Sequence, residues 1–362
     1  MGRLRPGVCH FKANLLLPKG DSVKFKAMDF QILAQKALRN ELLSRDEARA
    51  VLCAPDSELD ALLEAALTVR EAHFGRRVKL CLLLNAQSGI CPEDCGYCSQ
   101  SKVSNAPVQK YKLLPTEEII ERAGRAVEAG ATRFCVAIAA RGASEKDVIH
   151  LSEAVRHIKS DPATSHLEIC TSLGLINAQK CRDLKAAGVD YVNHNLNTGE
   201  NHYAKICSTH TYADRVATLE NVKEAGLHTC AGGIVGMGES LDDLIDMGFA
   251  LRKLEIESIP INILLRIAGV PLEKSLENVP ETGVSHALKV MCLMRFLSPR
   301  AEVRAAAGRE RLGEHQMKVL WPANSLFVDG YLTTEGEHHD DVQRWILVAG
   351  FEIETPQLAP AA

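Results

Sequence analysis

The feature that most constrains this chain is a recurring phrase in which an amphipathic helix runs out in a small residue and Gly, and a short apolar strand follows at once. It occurs at Glu128-Ala-Gly130 ahead of Arg133 to Ile138, at Ala187-Gly188 ahead of Val189 to Asn193, and at Ala225-Gly226 ahead of Leu227 to Cys230. Glycine stops each helix because, without a Cβ, it takes the left-handed C′ conformation at no steric cost. Another helix, from Glu145 to about Lys159, is broken by Asp161-Pro162, and a strand from Leu167 to Thr171 follows. Extended along the chain, the same reading places strands at Leu80 to Leu84, Phe134 to Ile138, Leu167 to Thr171, Val189 to Asn193, Leu227 to Cys230, Ile259 to Leu265, Glu302 to Arg304 and Ser325 to Val328. Helices are expected to start near Thr116, Glu145, Asn177, Ala213, Leu241, Val284, Arg309 and Asp340. Eight strand–helix units favour a (β/α)8 TIM-type barrel over an open doubly wound sheet. The barrel is expected over residues 79–350, with an N-terminal helical extension over 28–78 and a C-terminal tail over 351–362.

In such a barrel the chemistry gathers where strands end and the following loops ring one mouth. The loop after the first strand reads Cys91-Pro-Glu-Asp-Cys95-Gly-Tyr-Cys98, three thiols in eight residues. Packing does not explain that spacing, and three thiolates so close repel one another unless a cation binds them. A tetrahedral zinc site calls for a fourth Cys or His, which the loop lacks. An iron–sulfur cube on three thiolates leaves one iron open to a small molecule, which points to catalysis. The same topology makes Cys135, Cys170 and Cys230, on the second, third and fifth strands, candidates for one cavity together with Arg304 on the seventh. The chain has 12 Cys but no export signal, so a reducing compartment, the cytoplasm, is expected. Cys9, Cys53, Cys81, Cys181, Cys207 and Cys292 read as small hydrophobes.

Two further segments sit at strand ends. In Tyr191-Val-Asn193-His-Asn195-Leu-Asn197-Thr, strand alternation would set Asn193, Asn195 and Asn197 on one face as amide donors and acceptors for a polar ligand. In Gly232-Gly-Ile234-Val-Gly-Met-Gly-Glu239, the glycines would let a ligand approach the backbone, although neither the P-loop nor the dinucleotide glycine order is present. A net charge of -4 without a basic run gives no footprint for nucleic acid or an anionic membrane surface. No stretch approaches the ~18 consecutive apolar residues of a membrane span, so a soluble chain is expected. Residues 1–27, rich in Arg and Lys with Asp21 the one acid, read as a non-folded leader, or else translation starts at Met28.

The Cys-x3-Cys-x2-Cys loop with an aromatic before its last Cys resembles the signature of radical S-adenosylmethionine enzymes. Cys91 to Ser101, Tyr191 to Thr198, Cys230 to Glu239, Pro260-Ile-Asn262, Ala307-Gly-Arg-Glu310 and Ala323 to Thr334 together resemble the biotin synthase family from about residue 30 to 354. The resemblance implies a [4Fe-4S] cluster on Cys91, Cys95 and Cys98 whose open iron takes S-adenosylmethionine. It implies dethiobiotin as substrate, because a radical is needed to react at its unactivated carbons. It implies a second, [2Fe-2S] cluster on Cys135, Cys170, Cys230 and Arg304 that supplies the sulfur, with Arg309 as the competing arginine. Tyr97, Asn195, Asn197 and Ile234 would contact the adenosyl cofactor, and Asn193, Asn195 and Asn262 the substrate. Asn197 departs from the aspartate expected there, which keeps an acceptor but loses charge. Family expectations add a flavodoxin- or ferredoxin-like electron donor and a homodimer. The rivals are another barrel-type radical S-adenosylmethionine enzyme, which the extra strand cysteines and Arg304 disfavour, and a non-catalytic iron–sulfur or zinc scaffold.

Overall fold

The structure is a computed structural model that describes residues 29–355; the expected leader, the alternative start at Met28 and residues 356–362 of the expected tail lie outside the described residues. Ten parallel strands build it: β1 (Arg77–Gln87), β2 (Arg133–Ile138), β3 (Glu168–Ser172), β4 (Tyr191–Asn193), β5 (His228–Cys230), β6 (Gly233–Val235), β7 (Ser258–Ile263), β8 (Glu302–Ala305), β9 (Ser325–Val328) and β10 (Glu352–Ile353). The sheet closes because β1 pairs with both β2 and β9. Cys230 of β5 lies opposite Ser258 and Gly233 of β6 opposite Ile261, the same offset along β7. The two short strands are therefore one stave interrupted at Ala231-Gly232, and the barrel has eight staves. β10 extends the sheet beside the start of β1.

Alternation along the staves sorts side chains between two cores. Phe134 and Val136 of β2 join the large apolar layer beneath the helices, while Cys135 between them faces the barrel interior with Cys81, Cys170, Cys230 and Phe327. Helices α1 (Phe30–Leu38), α2 (Arg45–Leu52) and α3 (Leu59–Phe74) form the N-terminal extension. Around the barrel follow α4 (Thr116–Glu128), α5 (Glu145–Ser160), α6 (Ala178–Ala187), α7 (Glu200–Tyr203), α8 (Tyr212–Glu224), α9 (Leu241–Lys253), α10 (Pro271–Ser275), α11 (Val284–Leu297) and α12 (His339–Val348). The extension packs on α9 and α11. Arg70 of α3, fully buried, donates to the carbonyls of Arg77 at 2.7 Å and Ala323 at 3.3 Å, tying the extension to the chain entering β1 and β9.

Three loops at the mouth end in capping boxes, Ser144 with Asp147, Thr211 with Asp214 and Ser240 with Asp243. Each box satisfies amide donors at a helix start and so fixes where its loop lands. Some elements differ from the sequence reading. The helix expected at Arg309 is a 3-10 run, Arg309–Leu320, broken where Gly313 takes φ 53. The short helices α7 and α10, too brief to carry a periodicity, escape a pattern reading, and both pack against the Cys91 loop.

Candidate functional site

The Cys91 loop is held from below by its own acidic residues. The Gly96 N–H donates to the Ile206 carbonyl, and the Leu272 N–H to the Gly96 carbonyl, both at 2.8 Å, so the loop sits between the chain after α7 and the start of α10. Asp94 accepts from the Ser208 and Thr209 amides at 2.9 and 3.1 Å. Burial would raise its pKa, but the Ser208, Cys207 and Thr209 donors outweigh burial and hold it well below the usual carboxylate range. Glu93 accepts from Thr209 Oγ1 at 2.6 Å and Arg141 Nη1 at 3.1 Å, and pairs with His210 Nδ1. The Pro-Glu-Asp filling between the first two thiols is therefore an anchor.

Cys91, Cys95 and Cys98 line one cavity of about 280 Å³ at the mouth, shared by Tyr97, Asn193, Asn195, Asn197, Ile234 and Asn262. Burial pushes the Cys91 thiol up to about 11 and raises Cys98 as well, whereas Cys95 is raised first by its contact with Cys207 and then by burial. Three soft donors that resist ionising on their own suit a metal cluster whose charge draws the protons off. Two buried atoms without partners among the described residues, Asn85 Oδ1 and His194 Nε2, belong to residues of the same cavity. A polar ligand there would satisfy them. Burial, then Arg215 and His210, hold His194 neutral.

The three asparagines share the cavity for a reason other than the expected alternation. The strand stops at Asn193, and Asn197 reaches the cavity through a left-handed backbone at φ 70, with its Nδ2 donating to the Tyr97 hydroxyl at 2.6 Å. Asn193 Nδ2 donates to Asn195 Oδ1 at 3.1 Å, and the same oxygen accepts from the Gly232 N–H at 3.0 Å. Asn262 spends its amide on the backbone, donating to the Gly233 carbonyl and accepting from the Ala307 N–H. The glycine loop also departs from expectation. A Cβ at Gly232 would lie 1.8 Å from the Pro260 carbonyl oxygen, and one at Gly233 2.2 Å from Met247 Sδ. These two glycines admit the neighbouring stave and α9, while Ile234 is the loop residue that lines the cavity.

At the floor, Cys135 pairs in register with Cys170, and Asn193 with Cys230. A smaller cavity of about 40 Å³, lined by Cys135, Cys170 and Arg304, shares Asn193 and Tyr331 with the upper one. The contact with Cys170 lowers Cys230 to about 6 and also lowers Cys135, against burial and with help from Arg304 and Arg133, while Cys170 is raised by the same contacts. Arg304 donates from Nε to Ser325 Oγ at 3.0 Å and from Nη2 to Ser258 Oγ at 3.2 Å, pairs with Glu302, and leaves Nη1 4.0 Å from Cys230 Sγ. Arg309 is spent elsewhere, on the Phe327 carbonyl at 2.8 Å and Glu337 at 3.1 Å. Of the two arginines only Arg304 enters the thiol cage. Burial would raise Glu302, but Arg133, Arg304 and Lys79 hold it well below the usual range.

Sequence reasoning missed Cys81, Cys207, His210 and Arg215 here. Cys81, read as a small hydrophobe, faces the barrel interior with the other three strand thiols. Cys207, read the same way, lies 3.7 Å from Cys95 Sγ with Asp94, Thr209 and His210 around it. Arg215 donates to the Asn195 carbonyl at 2.7 Å and reaches His210 Nε2 at 2.9 Å. The one local signal was Cys207-Ser-Thr-His210 itself, a Cys and a His three residues apart.

A closed parallel barrel that presents three thiols at Cys-x3-Cys-x2-Cys spacing to a polar mouth defines a radical S-adenosylmethionine enzyme. The profile of the Radical SAM superfamily matches residues 87–250, and that of the Biotin and Thiamin Synthesis associated domain matches residues 260–352. The chain is 45% identical over 325 residues to a biotin synthase of Rhodopirellula baltica, covering 90% of this chain and 89% of that one. It is 43% identical over 329 residues to a biotin synthase of Halalkalibacterium halodurans, covering 91% and 97%. The chain belongs to the biotin synthase family, and its activity is biotin formation by radical S-adenosylmethionine chemistry, with S-adenosylmethionine and a [4Fe-4S] cluster as cofactors. Among solved structures, methylornithine synthase aligns with a TM-score of 0.75 at 19% identity over 90% of this chain and 98% of that one. The [FeFe]-hydrogenase maturase HydG aligns at 0.75 and 15% identity over 90% and 75%, so both share the fold.

Proposed function

We propose that Cys91, Cys95 and Cys98 hold the [4Fe-4S] cluster at the mouth, and that Cys135, Cys170, Cys230 and Arg304 hold a [2Fe-2S] cluster at the floor. Dethiobiotin lies between them and receives its sulfur from the floor. The supporting observation is one residue, Asn193, which lines both cavities and donates to Cys230 Sγ at 3.2 Å and Asn195 Oδ1 at 3.1 Å. When bound, the cofactors supply one-electron cleavage of S-adenosylmethionine and a sulfur atom for the new C–S bonds, chemistry that no protein base replaces at unactivated carbons.

The chain's own groups bind, orient and shield. Tyr97, Asn195, Asn197 and Ile234 face the adenosyl cofactor. Asn193 and Asn195 offer amides to the ureido ring, which needs donors and acceptors in pairs, and Asn262 offers the one N–H and one lone pair that its two backbone bonds leave over. Arg215, buried beside Cys95 and Tyr97, balances the negative charge of a thiolate-bound cluster. The barrel wall keeps water from the reacting carbons, as Cys81, Phe327 and Ala306 close the floor around the thiols. A flavodoxin- or ferredoxin-like electron donor, a homodimer and a cytoplasmic setting complete the reading, and these rest on the family alone. No helix among the described residues is long and apolar enough to cross a membrane.

The test is anaerobic reconstitution with iron and sulfide, followed by S-adenosylmethionine, a reductant and dethiobiotin. Biotin and 5′-deoxyadenosine are followed together by mass spectrometry. Both products are expected; deoxyadenosine without biotin would leave the mouth assignment standing and overturn the substrate and floor assignments.

A further inference from the structure

Beneath the Cys91 loop, on the side of Cys95 facing α7 and α8, electron-rich atoms crowd together beyond what cluster binding requires. Cys95 Sγ, Cys207 Sγ and a ring nitrogen of His210 all lie within 4.8 Å of one another, and all three residues are buried. Cys207 Sγ is 3.7 Å from Cys95 Sγ, 3.3 Å from His210 Nδ1 and 3.3 Å from Asp94 Oδ1. Glu93 Oε2 closes on the same ring nitrogen. Two thiols, an imidazole and two carboxylates thus converge on one small volume, against two cations, Arg141 on Glu93 and Arg215 on the far nitrogen of His210.

We infer that Cys95, Cys207 and His210 form a binding site for a borderline-soft divalent cation of the zinc class, open while Cys95 carries no cluster iron. Two sulfurs and one imidazole are the donor mixture that zinc prefers, and a carboxylate or water completes a tetrahedron. Asp94, 3.3 Å from Cys207 Sγ, and Glu93, on His210 Nδ1, each stand beside one donor and outside the 4.8 Å set, so water is the fourth ligand that needs no movement of the chain. A metal on Nδ1 puts the ring proton on Nε2, where the Tyr203 hydroxyl stands 2.8 Å away to accept it, the outer hydrogen bond that ligating histidines usually make. Arg215, whose Nη2 donates to the same nitrogen at 2.9 Å while its Nε contacts Tyr203, would have to give up that bond when the metal binds. The consequence rests on the proposed role of Cys95: zinc and the cluster compete for one sulfur, so a chain that takes zinc first has to release it before the cube assembles.

Cobalt(II) serves as the spectroscopic probe, added anaerobically to the full-length, cluster-free protein with a phosphine reductant. A Cys91→Ser/Cys98→Ser variant leaves Cys95 as the loop's one thiol and is expected to keep tight binding, with tetrahedral visible bands and charge-transfer intensity for two thiolates. Adding Cys207→Ser or His210→Gln to that background is expected to weaken binding beyond the about 10- to 100-fold that losing an outer partner costs. Circular dichroism checks that each variant is folded, and the two single changes serve as independent reports. Loss of binding in the Cys91→Ser/Cys98→Ser variant, or undiminished affinity after both further changes, overturns the site. A parallel arm measures iron and sulfide uptake: zinc-loaded wild type is expected to take them up far more slowly than zinc-loaded Cys207→Ser, and equal rates overturn the competition. If wild type without zinc takes up neither iron nor sulfide, the cluster role of Cys95 falls, while the cobalt result stands on its own.

Discussion

Replacing Glu302 by Gln removes one negative charge from a dense ionic cluster at the base of the barrel. Three cations meet three carboxylates there: Lys79, Arg133 and Arg304 against Glu168, Glu302 and Glu354. Glu302 touches all three cations, with Arg133 Nη1 at 2.8 Å, Lys79 Nζ at 3.8 Å and a direct pair to Arg304. It is 8% exposed and Arg133 is 0%, so solvent screens these pairs little. Each pair at about 4 Å between charge centres gives ~4 kcal/mol at an effective dielectric of ~20. Desolvation of both partners offsets much of that, but an uncompensated buried charge left behind costs about 3–5 kcal/mol. The Gln variant keeps the shape and leaves one cation in excess, so it is expected to lose about 3–5 kcal/mol of stability at about pH 7. Because the folded-state pKa of Glu302 is depressed, its contribution is present above the unfolded value of ~4.3 and is lost as pH falls through the folded value. Denaturant unfolding of the cluster-free protein, wild type against Glu302→Gln, should show a gap that is full near neutrality and narrows in acid. A gap below about 1 kcal/mol near neutrality, or one that ignores pH, would refute the claim that this carboxylate offsets the buried guanidinium charges.

Replacing Cys135 or Cys170 by Ala should leave deoxyadenosine formation intact while biotin yield falls, measured on one sample with iron and sulfide counts; unchanged yield would remove the floor thiols from sulfur supply. Asn197→Asp keeps the left-handed backbone, which Asp tolerates, and reverses the bond to Tyr97, whose hydroxyl then donates to a carboxylate. Tighter binding of S-adenosylmethionine is expected by equilibrium titration, and an unaltered affinity would take Asn197 out of that contact. Gly232→Ala drives a Cβ to 1.8 Å from the Pro260 carbonyl oxygen, backbone that cannot turn aside, so the stave must shift. A loss of about 1–3 kcal/mol or more is expected in thermal unfolding, and a variant as stable as wild type would contradict the close approach.

The barrel was readable because its signals are local. A helix that stops at Gly and a strand that starts at once are decided within a few residues, and topology then carries Cys91 and the strand thiols to one axis. What escaped was decided by distance or direction. Cys207 stands 112 residues from Cys95, and the one local hint, His210 three residues on, does not by itself tell a buried spacer from a ligand. Cys81 looks like any small residue in an apolar run until the register opposite Arg133 turns it inward. Asn197 was placed in the right cavity by a rule that does not apply, since the strand ends four residues earlier and a positive φ does the work. The glycines after β5 were read as room for a ligand, yet two of them make room for the protein itself.

Arg304 shows why chemistry alone stopped short at the floor. On general grounds a guanidinium is an ion-pair partner and an unusual neighbour for a thiolate-bound metal, and Arg304 does pair with Glu302. The pair is also what aims it. With Nε on Ser325 and Nη2 held by Ser258 and Glu302, the planar fork cannot rotate, and Nη1 is the nitrogen left facing Cys230. A lysine at this position could keep the charge but not the planar fork that places separate nitrogens on Glu302 and beside Cys230. The ion pair and the thiol contact are therefore one device, and disturbing Glu302 should disturb the cysteine cage through Arg304 without touching a single sulfur.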